Sequence, residues 1–455
     1  MMTAAPASDV KHPSPPHAAP VAERDRVQAM DVIRGVALLG ILVVNMDFFA
    51  GTFAEMFSDE HTSTLVGVER AAWLLVQVVF AGKFISLFSL LFGAGIALQA
   101  MRLDRTRGAF STSFLLLRRL VVLAVVGVVH ATCIWYGDIL WGYASLGWIL
   151  ILVRFLPTKA IWWAAASVLL LSVFCVTALG FVSMMGMEAA AAGREAASAL
   201  PEIPDGPTSM ELFREMGNVT QWSVIDPRWA DFEAATYRYG PWDVAFALRL
   251  LQWVSSLPFI YLGFGAHLIG MFLLGTAAAR SGVLGSAWAS LQRQVALVCI
   301  PAGLFCCAVV PSLLLSGRAH ADPLIAGMGS LNELGTTLLA VGYAGALARL
   351  AYAGPPALAL FLARTGRMAF TIYLSMSVLM TGLFYWWGFG LFEQVGHVGR
   401  LGIALVTWAV LAAGAQLWLK AFTMGPLEWA WRMTTYLEVP PLLRRGNASQ
   451  RESGA

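Results

Sequence analysis

Charge is what this chain lacks most. Lys, Arg, Asp and Glu together make up 13% of its 455 residues, against 58% hydrophobic residues. A water-soluble domain carries roughly a quarter charged residues, so an ordinary soluble fold is excluded. A net charge of +3 offers no basic surface for nucleic acid. Cysteine is scarce too. Cys133, Cys175, Cys299, Cys306 and Cys307 all lie inside apolar runs. They neither show metal-ligand spacing nor staple a loop, so they read as small core hydrophobes. A cleavable leader needs a basic start followed by an apolar core, and residues 1–25 lack it. With Pro6, Pro13, Pro15, Pro16 and Pro20 among alanines, they read as a disordered cytoplasmic tail, and residues 437–455 as another.

What the chain has in abundance is long apolar runs, each able to cross roughly 30 Å of hydrocarbon as a helix. Spans are expected near 33–50, 84–101, 120–136, 139–153, 160–182, 259–279, 295–315, 328–348, 368–388 and 401–421. Shallow amphipathic helices are expected near 68–82 and 243–257. The basic residues alternate between connections. Arg102, Arg105, Arg107, Arg118 and Arg119 fall in one, and Arg154 with Lys159, Arg280 with Arg293, and Arg349 with Arg364 and Arg367 fall in later even ones. The short odd connections hold little: Arg70 in the first, none at 136–138, and Arg318 and Arg400 in later ones. Basic connections stay cytoplasmic. The expectation is an all-α, polytopic transmembrane helical bundle of about ten spans in the inner membrane, with both termini cytoplasmic. It divides into halves 26–182 and 244–436, with an extracytoplasmic loop or cap at 183–243. Trp222, Trp229, Tyr237, Tyr239 and Trp242 of that loop suit stacking on sugar rings, or an aromatic belt at the membrane surface.

Polar residues inside apolar runs are costly and ask for a reason. Arg26, Asp31, Arg34 and Gly35 open the first span, and Asn45 and Asp47 close it. At 1.5 Å per residue, Asn45 lies roughly 16 Å above Arg34, His130 as far above Arg119, and His267 roughly 20 Å from Arg280. The three share one layer, with Asp47, Lys83 and Asp138 nearer the outer face. Each also has a structural reading. Asp31 and Asp138 precede helices and suit capping, and Arg34 pairs with Asp31 three residues on. Asn45 suits an interhelical hydrogen bond, and the two histidines suit neutral core positions. The Gly93-Ala94-Gly95 and Gly263-Phe264-Gly265 stretches read as close helix packing. No His, Asp or Glu set shows metal-ligand spacing, so no metal is expected.

Five stretches in order carry a resemblance: DVIRGVALLGILVVN at 31–45, FSLLFGAG at 88–95, GVVH at 127–130 with WYGDIL at 135–140, GRMAFT at 366–371, and GPLEWAWR at 425–432. Together they resemble the YeiB-like bacterial inner-membrane proteins, whose C-terminal half is the domain of unknown function 418. The family often has an Asn and a Gln where this chain has Ile372 and Met376. The ninth span is left with Thr371, Tyr373, Ser375 and Ser377 as its polar groups.

The spacing of Arg26, Asp31, Arg34 and Gly35 also resembles the first span of two membrane acyltransferase groups, the acyltransferase-3 group and the heparan-α-glucosaminide N-acetyltransferase group. In the first, a histidine stands at the position of Asn45. In the second, an asparagine stands there and the catalytic histidine follows in the next loop, where this chain has His61. That resemblance implies acyl transfer. Acyl-CoA would act as co-substrate against Arg26, Asp31 and Arg34, with His130 or His61 as general base or transient acyl acceptor. Asp138 would orient the histidine and Asn45 would donate to oxyanion charge. The acceptor would be a hydroxyl or amine on an extracytoplasmic glycan or lipid. The rival expectations are an exporter of an amphiphilic metabolite and a non-catalytic envelope assembly protein.

Overall fold

A computed structural model describes residues 28–196 and 227–444. Arg26, Trp222 and the tail expected at 1–25 lie outside the described residues. So does most of the tail expected from 437 onward. The protein is an all-α, polytopic membrane protein. Among the described residues, eight helices are long and apolar enough to cross a membrane, or nine counting one bent pair.

The first is α1 (Gln28–Ala50), whose apolar residues are buried on all sides. Such a helix belongs at the centre of a bundle. The short α2 (Asp59–Thr64) and α3 (Gly67–Leu75) follow. The chain then bends at Gly82, whose φ of +79° suits a residue without a Cβ, and enters α4 (Lys83–Arg107). α5 (Ala109–Val129) leads through a π-helical stretch, His130–Ile134, to α6 (Leu140–Gly147) and α7 (Ile149–Val153). The expected fourth span corresponds to Leu140–Val153, which at about 1.5 Å per residue reaches only roughly 21 Å.

α8 (Thr158–Ala196) continues beyond the expected start of the large loop at 183. Only 6% of its most apolar window is buried, so it stands at the lipid-facing periphery. Within the expected loop, α9 (Pro227–Tyr239) packs back on the bundle. Trp229 and Tyr237 are buried there in protein, while Tyr239 and Trp242 remain exposed. α10 (Trp242–Pro258) and α11 (Gly265–Ser281) are joined by the π-helical stretch Phe259–Phe264. The expected shallow helices near 68–82 and 243–257 thus run into the spans after them, as Gly67–Arg107 and Trp242–Ser281.

α12 (Ala289–Leu315) and α13 (Pro323–Ala353) form an antiparallel pair. α13 starts where Asp322 caps the Leu324 amide and Pro323 takes the first turn. α14 (Pro356–Arg367) and α15 (Ala369–Phe384) meet at a 73° bend. α16 (His397–Ala421) and α17 (Pro426–Tyr436) complete the chain.

Glycine sets the closest helix contacts. A Cβ on Gly93 of α4 would lie 1.9 Å from the Phe272 carbonyl oxygen of α11, and one on Gly275 of α11 would lie 1.8 Å from that of Leu90. The two backbones therefore touch reciprocally, as small residues allow in membranes. α1 and α14 repeat the arrangement. Gly35 faces the Leu362 carbonyl and Gly366 faces that of Asp31. The first and fourth resemblance stretches meet at this second contact.

Candidate active site

α5 ends by widening into its π-helical stretch, and Trp135 then takes an extended conformation. π-turns inside α-helices recur at functional sites. The returning chain brings Asp138 Oδ1 to 2.9 Å from His130 Nδ1. Its other oxygen accepts the Trp141 amide at 2.8 Å. Asp138 thus caps α6 and holds the histidine at once. The pair is buried, with 1% of the His130 side chain and none of the Asp138 side chain exposed. The carboxylate at Nδ1 favours a proton there, which leaves Nε2 with its lone pair. Nε2 has no hydrogen-bond partner among the described residues. The Tyr373 ring lies 5.4 Å from the imidazole, and Ile372 and Met376 of the same helix are buried.

A cavity of about 250 Å³ reaches Tyr373, whose ring lies between it and the imidazole's side of the site at that 5.4 Å spacing, while His130 and Asp138 do not themselves line it. Its wall follows α5 from Arg119 to Leu123, two turns before His130. It also takes in Ile139 and Leu140, which follow Asp138 in sequence, Tyr373, which touches the His130 ring, and Tyr143. Near the ends of α1, α14 and α17 it is lined by Arg34, Arg119, Arg367 and Arg432, with Asp31 and Glu428 as the carboxylates. Each of the five resemblance stretches contributes to this wall.

The arginines are held in place. Arg34 Nη1 donates to Asp31 Oδ1 at 2.9 Å. Arg119 donates to Gln99 Oε1 at 2.8 Å, and its guanidinium lies 4.0 Å from the centre of the Trp431 ring. Glu428 closes the bend between α14 and α15. One oxygen accepts the amides of Phe370 and Thr371 at 2.7 and 3.0 Å, and the other accepts the Thr371 hydroxyl. Burial pushes this carboxyl up and the Thr371 hydroxyl opposes the shift. Glu428→Ala would orphan those donors, so a loss of about 1–3 kcal/mol is expected, read as a lower Tm in detergent.

The other expected site residues fall elsewhere. Asn45 is half-buried on α1, one turn beyond the cavity-lining Ile41. His267 belongs to a separate buried group: Nδ1 pairs with Glu333 Oε1 at 2.5 Å and Nε2 with Ser86 Oγ at 2.6 Å, and Ser172 donates to the same Glu333 oxygen. The shared layer of Asn45, His130 and His267 is therefore not one shared cluster. Lys83 is buried at the α3–α4 bend and donates to the Gln77 carbonyl at 2.8 Å. Asp47 and His61 come together at the end of α1 remote from Arg34, with Glu55, His397 and Arg400. Burial is the main cause lowering the His61 pKa, opposed by Glu55.

Sequence reasoning missed Arg432, Glu428, Arg367 and Tyr373 as lining groups, although all but Tyr373 lie in the quoted stretches. It also missed Glu55 and His397, whose only signal is proximity after folding.

Residues 278–438 match the model of a family described as "Protein of unknown function (DUF418)". Over 433 residues the chain is 30% identical to the uncharacterized protein YxaH of Bacillus subtilis, covering 94% of this chain and 98% of that one. It is 27% identical over 430 residues to the uncharacterized protein YeiB of Escherichia coli, covering 92% and 99%. No solved structure matches it. With full-length similarity of this order, and all five stretches gathered around one cavity, the chain belongs to the YeiB-like DUF418 family of membrane proteins.

Proposed function

We propose that this protein is an acyltransferase of the bacterial inner membrane, with both termini in the cytoplasm. It takes an acyl group from a cytosolic acyl-CoA and passes it to a hydroxyl or amine of an extracytoplasmic glycan or lipid. One observation carries the reading: an arginine-lined cavity built by all five family stretches reaches Tyr373, whose ring lies 5.4 Å from a buried imidazole that is paired with Asp138 and has no partner for Nε2 among the described residues. Basic connections on the same side as Arg34 support the orientation.

Arg34, Arg119, Arg367 and Arg432 outnumber the two carboxylates of the wall, and guanidinium groups suit phosphate oxygens. The cavity volume suits the narrow thioester arm, with the nucleotide left at the mouth. His130 Nε2 takes the proton of the acceptor group as its oxygen or nitrogen attacks the thioester carbonyl. The C–S bond then breaks, and the imidazolium returns the proton to the departing thiolate. Asp138 stabilises the imidazolium and holds its orientation, as a buried carboxylate does in other histidine-based transfers. Asn45 follows Ile41 by four residues and so shares its face of α1. From there its amide serves as a donor toward oxyanion charge.

The test is incorporation of label from radioactive acyl-CoA into the lipid and glycan fraction of vesicles holding the purified protein. Incorporation that needs the protein is expected. Its absence across a range of acyl chain lengths would overturn the reading.

A second reading is favoured by the His267–Glu333–Ser86 group, since buried ionisable pairs between spans also mark proton paths in carriers. Protein-dependent uptake of an amphiphilic solute into vesicles, without covalent change to it, would favour that reading.

A further inference from the structure

At the opposite end of α1 from Arg34, three residues far apart in sequence bring ligand atoms together. His61 comes from α2 and His397 opens α16. Glu55 lies in the 3₁₀ turn Phe53–Phe57. The two Nε2 atoms are 3.0 Å apart, and Glu55 Oε1 lies 3.4 Å from that of His61. One donor atom from each residue fits within a 4.8 Å group. We propose that Glu55, His61 and His397 form a binding site for a divalent transition metal ion of the zinc type. None of the three lines the arginine-lined cavity.

The spacing carries the argument. Four ligands at 2.0–2.1 Å around Zn²⁺ stand roughly 3.3–3.4 Å from one another. The observed 3.0 and 3.4 Å each lie within a few tenths of an ångström of that spacing, and the third pair, Glu55 with His397, falls within 4.8 Å. Two histidines and one glutamate make a known three-ligand set that leaves the fourth position to water.

The surroundings fit a cation. Metal binding requires both Nε2 atoms to be unprotonated, with the proton of each ring on Nδ1. For His397, Asp47 Oδ1 stands 3.5 Å from Nδ1 and can accept from it, which is the carboxylate support commonly given to a metal-bound histidine. Arg400 contacts Asp47 at 3.3 Å and Glu55 at 3.2 Å, fixing both carboxylates. Two carboxylates against one guanidinium leave a net negative charge for a dication.

The local backbone also accommodates the ligands. A Cβ on Gly51 would sit 2.0 Å from Glu55 Oε2, so only glycine leaves that side chain its place. Glu69 accepts the Val398 amide at 3.2 Å and steadies the first turn of α16, where His397 sits. His397 is 6% exposed, while His61 and Glu55 are more open, with 27% and 20% of their side chains exposed. An ion could therefore enter from the aqueous side.

The test uses the full-length protein in detergent, stripped with a chelator and titrated with Co²⁺ and Zn²⁺. One equivalent of Co²⁺ is expected, with the visible absorption of a tetrahedral site, displaced by Zn²⁺. His397→Ala and His61→Ala should each weaken binding at least tenfold. His320→Ala should leave it unchanged, since that histidine pairs with Asp59 outside the group. His61→Cys keeps a ligand atom at the more exposed position and should retain the ion, which guards against loss by misfolding. Less than a tenth of an equivalent bound to the wild-type protein would overturn the proposal. So would equal binding by the wild-type, His61→Ala and His397→Ala proteins.

Discussion

His130→Gln is expected to lower protein-dependent acyl incorporation by about 10²–10⁴-fold, the range that removal of a general base costs. Acyl-CoA binding should persist. Glutamine keeps much of the volume and can still hydrogen-bond to Asp138, but it has no basic nitrogen where Nε2 stands. The split between turnover and binding separates a chemical role from a structural one. A merely structural His130 would lower both together, or lower the yield of folded protein. Asp138→Asn should fall between the two, because an amide can cap α6 through the Trp141 amide while no longer stabilising an imidazolium. Incorporation at wild-type level in His130→Gln would remove the histidine from the mechanism.

Gly93→Val and Gly275→Val are expected to be the most damaging substitutions to the fold. In each case the new side chain would meet a backbone carbonyl under 2 Å away, and a carbonyl inside a helix cannot rotate aside. Overpacking a core costs about 1–3 kcal/mol even when side chains yield. Here α4 and α11 would have to separate, so each variant should exceed that range and leave little monodisperse protein. Gly402→Ala is the control. Nothing lies within 4 Å of its added Cβ, and alanine favours helix over glycine by about 1 kcal/mol. Its Tm should equal or exceed that of the wild type. A wild-type Tm in Gly93→Val would refute the close approach of the two helices.

The sequence reveals the class of fold through length and periodicity of apolar runs, because the bilayer imposes both. Every expected span overlaps an apolar helix of the structure. Side-chain pairings were legible where partners are close in the chain. Asp31 with Arg34 and His130 with Asp138 are three and eight residues apart, within reach of one helix turn or one tight return. Depth proved a weaker guide. Counting residues from a helix end gives a side chain's height in the membrane but not the direction it faces. For that reason the expected common layer does not bring Asn45, His130 and His267 into one cluster. The metal-type group was invisible for a related reason: Glu55, His61 and His397 come from three elements, and no spacing rule spans the 336 positions between the histidines. The aromatic residues of the large loop show a further limit. Trp229 and Tyr237 look from composition like surface residues, but α9 folds back and buries them.

The most direct test of the central claim, that the arginine-lined cavity receives an acyl-CoA, is equilibrium binding of a fluorescent acyl-CoA to the purified protein in detergent. Saturable binding at one site per chain is expected, competed by unlabelled CoA and weakened by rising salt as phosphate contacts are screened. It should fall about tenfold in Arg34→Gln and in Arg432→Gln, yet survive in His130→Gln. No saturable binding, or equal affinity in the wild-type and both arginine variants, would contradict the account.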